Sequence, residues 1–159
     1  MKDKPFDSVK DQIGFCGIWC GSCVAGNGAL IELTKRYKEI IEKYSLKDWA
    51  PKDFDFKEFM KGLTSIQTIS LCPGCLKDGG RPDCEMRSCA RNKKIDDCSE
   101  CDKPAECKNS EELKKMRDGA LGAGLFVKMK NVDRQGLIEK WKSEIKEKFP
   151  HCLFLCDKQ

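Results

Sequence analysis

Twelve cysteines in 159 residues carry most of the chemistry this chain offers. They fall in three groups: Cys16, Cys20 and Cys23; then Cys72, Cys75, Cys84, Cys89, Cys98, Cys101 and Cys107; then Cys152 and Cys156. Two thiolates separated by two residues grip one metal ion from a single turn. Cys72-Pro-Gly-Cys75 and Cys98-Ser-Glu-Cys101 have that spacing, and Pro73-Gly74 and Asp78-Gly-Gly80 supply the turn residues the first needs. Cys84, Cys89 and Cys107 lie within short reach. The expected ligands are therefore the ten cysteines from Cys16 to Cys107, with Cys152 and Cys156 a further candidate pair. Zinc is the expected metal, two to three ions, because all-thiolate tetrahedral sites are a common structural zinc arrangement. Against this stands the ordinary fate of a free Cys, a small buried hydrophobe, which weighs most for Cys152 and Cys156. An iron–sulfur cluster takes the same ligands and is the alternative, but the bacterial ferredoxin run ending in Cys-Pro is missing.

Groups of three and seven cannot each be divided into four-ligand sites. At least one Cys₄ site must then join groups far apart in sequence. Short loops lose least entropy on closure, which favours Cys72, Cys75, Cys84 and Cys89 around one ion. Cys98, Cys101 and Cys107 would then be completed by one or more of Cys16, Cys20 and Cys23.

Sharper chemistries find less support. Cys16-x₃-Cys20-x₂-Cys23 has the spacing that radical S-adenosylmethionine enzymes use for a four-iron cluster, but the strands and the length of their barrel are missing. Trp19-Cys20-Gly-Ser-Cys23 looks like a thioredoxin active site, yet Gly14 and Gly17 precede it where a buried strand is needed. Gly119, Gly122 and Gly124 lack the Lys-Ser/Thr ending of a phosphate loop, and helix packing explains them better. His151 is the only His, and no carboxylate pair stands out. The reading leans away from an enzyme.

The intervals between the Cys groups read as helices, so the expected fold is all-α: a small helical domain around an irregular, Cys-rich, metal-stapled segment. Residues 29–45 place Leu30, Leu33, Tyr37, Ile40, Ile41 and Tyr44 on one stripe, with Glu32, Arg36, Glu39 and Lys43 opposite in supportive pairs. A second helix starts at Asp55, boxed by Glu58, and turns Phe56, Phe59, Met60, Leu63 and Ile66 inward. A third begins near Asn109, boxed by Glu112, and runs through Leu113 and Met116 into Gly119. A fourth follows Asp133, carrying Leu137, Ile138, Trp141 and Ile145 inward until Pro150 stops it. Only Cys152 to Cys156 reads as extended. The chain is expected to be one domain over 1–159, with metal-binding segments 16–23 and 72–107 and helical parts 29–68 and 109–149. The 36 residues of 72–107 hold five apolar residues besides Cys, against 15 charged ones. Such a composition ordinarily means disorder. Seven Cys at tight spacings say otherwise.

Composition narrows the function. No apolar run approaches the roughly 18 residues of a membrane span. Met1 to Phe15 is charged and lacks the apolar stretch of a signal peptide, which predicts a cytoplasmic protein whose thiols stay reduced. Lys and Arg total 30 against 26 Asp and Glu, for a formal charge of +4. Each Cys₄-bound zinc subtracts two charges, and the Lys residues interleave with Glu, which argues against nucleic-acid binding. The expected partner is another protein.

With the Cys map in hand, the chain resembles a family of small cysteine-rich proteins of unknown function, thought to bind zinc, common in archaea and anaerobic bacteria. Cys16-Gly-Ile-Trp-Cys20-Gly-Ser-Cys23 looks like its opening signature. Leu71-Cys-Pro-Gly-Cys75, Cys84-Glu-Met-Arg-Ser-Cys89-Ala, Cys98-Ser-Glu-Cys101 and Cys107 look like its central block, and Gly136 to Trp141 fits its late Gly-x₄-Trp. Members often end in a Cys-x-x-Cys-Gly knuckle, where this chain has Cys152-Leu-Phe-Leu-Cys156. The resemblance implies metal binding and no activity.

Overall fold

In the computed structural model, residues 6–119, 125–127 and 130–148 are described. Among them the fold is all-α, with isolated bridges and no strand. In chain order come a 3₁₀ turn at Cys20–Ser22, α1 (Val24–Asn27), α2 (Ala29–Lys43), α3 (Leu46–Trp49) and α4 (Phe56–Gln67). A turn at Cys75–Lys77, α5 (Glu85–Lys93) and turns at Cys98–Glu100 and Pro104–Glu106 make up the Cys-rich insert. Then follow α6 (Ser110–Asp118) and α7 (Arg134–Lys148). None of these helices is long and apolar enough to cross a membrane. The Cys152–Cys156 segment, Pro150, Gly122 and Gly124 lie outside the described residues.

Local signals account for the helix ends. The Asp55 carboxylate accepts the Glu58 N–H at 2.9 Å, and that of Asp133 accepts the Gly136 N–H at 3.0 Å. Each satisfies a donor that the first helical turn leaves unpaired. The cap expected at Asn109 is missing: its side chain makes no capping bond, and Glu112 instead pairs with Arg81 at 2.7 Å. Gly28, at φ +78°, ends α1 and lets α2 begin at once, a left-handed turn that a Cβ would strain.

The core lies where the two ends of the chain meet. Ile13 and Trp19 pack with Leu125, Val127, Ile138, Trp141 and Ile145, all buried. The Trp19 and Trp141 rings stack with centroids 6.0 Å apart, and the Trp19 indole N–H donates to the Lys10 carbonyl at 2.7 Å. Backbone bonds from Trp19 N–H to the Leu125 carbonyl and from Val127 N–H to the Gly17 carbonyl, both 2.9 Å, tie the segments together. Ile138, Trp141 and Ile145 of α7 point inward as their spacing requires, with Leu137 packed against them. Trp19 belongs to this core.

Two expectations need correction. The insert is not irregular throughout, because its middle is a nine-residue helix, α5, with Met86 and Ala90 buried and Lys94 closing it in a left-handed conformation. The α2 stripe is also not a core face. Only Ile41 of the six predicted residues is buried, while Leu30, Tyr37, Ile40 and Tyr44 are exposed. The reason is tertiary. α2 packs chiefly on α4 and α1, through Ala29, Thr34 and Ile41, with Tyr37 edge-on to Phe59 at 6.3 Å. Ile40 and Tyr44 lie at the edge of this contact and stay largely in water, while Leu30, Leu33 and Tyr37 are only partly covered by it.

Replacing Ile40 and Tyr44 together by Gln should therefore shift the chemical-denaturation midpoint by less than about 1 kcal/mol, as for surface sites generally. Ile41→Ala should cost roughly 2–4 kcal/mol, the range for a buried large-to-small change. An Ile40/Tyr44 variant as costly as Ile41→Ala would show that this face is packed.

Candidate metal centres

The ten described cysteines, all free thiols, line two cavities. Cys16, Cys20, Cys23, Cys72, Cys75 and Cys84 surround one of about 220 Å³. Cys89, Cys98, Cys101 and Cys107 line the other, of about 310 Å³. The N-terminal cysteines thus meet the first half of the central block rather than the second. Cys89 leaves the group expected for it and joins Cys98, Cys101 and Cys107. The cause is α5. Cys84 caps its start and Cys89 lies in its second turn, and residues five apart on a helix point about 140° apart. One helix therefore delivers two thiols to two different cavities.

Backbone bonds fix the six-thiol cavity. The Cys72 N–H donates to the Ala25 carbonyl at 2.9 Å, which docks the central knuckle on α1. The Gln12 amide donates to the Pro73 carbonyl at 3.1 Å from the other side. Gly74, at φ +93°, turns the chain so that its carbonyl accepts from both Lys77 N–H and Gly79 N–H. A Cβ on Gly79 would stand 2.8 Å from the Cys72 sulfur, and one on Gly14 would stand 3.3 Å from the Cys75 Cβ. Glycine at these places keeps the space beside the thiols open.

The four-thiol cavity is held by a buried carboxylate. Asp97, 1% exposed, accepts the Ser99 N–H at 2.7 Å and so shapes the Cys98–Cys101 turn. Its other oxygen takes a 2.8 Å bond from Arg134, which also reaches Glu100 at 2.7 Å. That guanidinium, at the start of α7, clamps the turn to the helix that carries the core tryptophan. The Cys98 N–H donates to the Phe15 carbonyl at 2.9 Å, and the Arg117 guanidinium donates to the Cys16 carbonyl, also at 2.9 Å. The two cavities therefore adjoin across residues 15–16.

Burial pushes the Cys16 and Cys20 thiols up to about 11 and Cys98 up to about 12, because an apolar wall disfavours the thiolate. These thiols are neutral at neutral pH without metal, so an entering cation must displace their protons. Cys101 differs: the Lys103 backbone N–H and then the Lys93 ammonium, 3.1 Å from its sulfur, hold its pKa below the usual thiol value. Among the described residues no three Cys, His, Asp or Glu side chains are arranged to hold an ion between them. His151, Cys152 and Cys156 lie outside the described residues.

The family described as a protein of unknown function (DUF3795) matches residues 12–112, more than half of the chain. The chain belongs to that family. The match spans all ten cysteines from Cys16 to Cys107 and stops short of α7, so the DUF3795 segment holds every thiol of both cavities, while part of their walls and of the core comes from beyond it. The family description names no activity. Neither curated proteins nor solved structures gave a match.

The residues that hold the cavities, Gln12, Asp97, Arg117 and Arg134, were not singled out by sequence. Asp97 had a signal. It stands two residues before the N–H it caps, the spacing of an Asx turn, directly ahead of a Cys-x-x-Cys knuckle. Arg134 is 37 residues away and had none.

Proposed function

We propose that this protein binds two to three zinc ions through its cysteines, that the metal is structural, and that the stabilised domain presents a surface to another protein in a reducing, cytoplasmic setting. The observation that carries this reading is the sorting of ten free thiols into two cavities of six and four. Cavity walls lined by thiols, with Asp118 the one carboxylate and no His among the described residues, suit a soft, thiophilic cation held in a closed site. Gathering the sulfurs on an ion calls for rotation about χ1, the one torsion a Cys side chain has. The partner reading draws support from the exposed α2 seam, where Leu30, Tyr37, Ile40 and Tyr44 lie in a row on the surface. An apolar row of this kind on a single helix is the form that helix-in-groove recognition takes.

Elemental analysis with visible spectroscopy, on protein purified without oxygen and without added metal, tests the metal reading. The expected result is a colourless protein with two to three zinc ions per chain. A brown protein containing iron and sulfide would replace zinc by an iron–sulfur cluster on the same thiols. A protein without metal, and without affinity for added zinc, would overturn the reading altogether.

A further inference from the structure

We infer that the six-thiol cavity holds two metal ions that share two of its thiolates, while the four-thiol cavity holds one. The inference rests on the metal-binding reading above and adds how the ions are distributed. Two closed tetrahedral ions require eight sulfur positions. Six thiolates provide eight only if two of them bridge, and a thiolate sulfur has the lone pairs to do so.

A single ion would leave two Cys over, and where those two lie decides the matter. They would line the same cavity of about 220 Å³ as the four bound sulfurs, not some separate part of the core. A spare thiol pair beside a Cys₄ ion is half of a second site, which shared sulfurs complete. Each ion displaces thiol protons to solvent, so filling this cavity releases six protons for two divalent cations and leaves the redox state of every atom unchanged.

The glycines leave room for two ions, since a side chain at Gly79 would run into the Cys72 sulfur.

The test uses the full chain loaded with cadmium-113 in place of zinc. Native mass spectrometry should count three ions per chain, and the cadmium NMR spectrum should show two of three resonances split by scalar coupling to each other through shared sulfur. The Cys152→Ser/Cys156→Ser variant should keep all three ions and the coupling. Two ions per chain would overturn the shared centre and leave metal binding intact. Three ions without coupling, or loss of one ion in that variant, would overturn it equally, because the third ion would then lie elsewhere. A chain that takes up no metal would instead sink the reading on which the inference rests.

Discussion

Removing the metal under reducing conditions should unfold residues 72–107 while the Trp19–Trp141 core keeps its structure. Within those 36 residues only two apolar side chains besides Cys, Met86 and Ala90, are buried. Arg87 helps locally, donating to the carbonyls of Gly79, Arg81 and Pro82 at 2.8, 2.6 and 3.1 Å. Bonds of that kind contribute about 1.5–3 kcal/mol each at best. A structural zinc contributes about 10–16 kcal/mol of apparent binding energy at neutral pH, which makes it the largest single term available to this segment. The core draws on Ile13, Trp19, Leu125, Val127, Ile138, Trp141 and Ile145, none of them in the insert. Hydrogen exchange with and without a chelator reads the difference. Amides of α5 should lose protection on chelation, while amides around Trp141 in α7 should keep most of theirs. Unchanged protection of α5 in verified metal-free protein would mean that something other than metal holds the insert.

Trp19→Ala should destabilise the metal-loaded protein by about 3–5 kcal/mol, the usual range for a buried aromatic cut to Ala. The Trp19 side chain is fully buried, and its ring lies against that of Trp141 on one side and edge-on to Phe6 at 6.0 Å on another. Gly21 approaches its edge so closely that an added Cβ would stand 2.5 Å from the indole Cε2. Truncation leaves a cavity that those fixed neighbours cannot close. Trp49→Ala is the control. That ring is 68% exposed, and its loss should move the denaturation midpoint little. Equal effects of the two substitutions at matched zinc concentration would mean that Trp19 is not at the centre of the core.

The sequence by itself determined the all-α class, the positions of α2, α4, α6 and α7, and the thiols on which any metal chemistry must rest. These are readable because their causes are local. A helix stripe repeats within four residues, and the Asp55 and Asp133 caps reach three residues ahead. α5 was missed for a related reason: its nine residues carry only Met86 and Ala90 as a buried pair, too few for a stripe.

Which thiols share a cavity was decided only by the tertiary structure. Loop-closure entropy favours the short gap between Cys84 and Cys89 over the long one from Cys23 to Cys72 by only about 2 kcal/mol, which the contacts of the folded chain can outweigh. The helix between Cys84 and Cys89, and the docking of the Cys72 backbone on Ala25, tip the balance. The same holds for α2, whose stripe marks an apolar face without saying what covers it. Periodicity fixes the angle of a side chain about its own helix axis; only the neighbouring helix, here α4 on the Thr34 and Ile41 side, decides which part of that face leaves water.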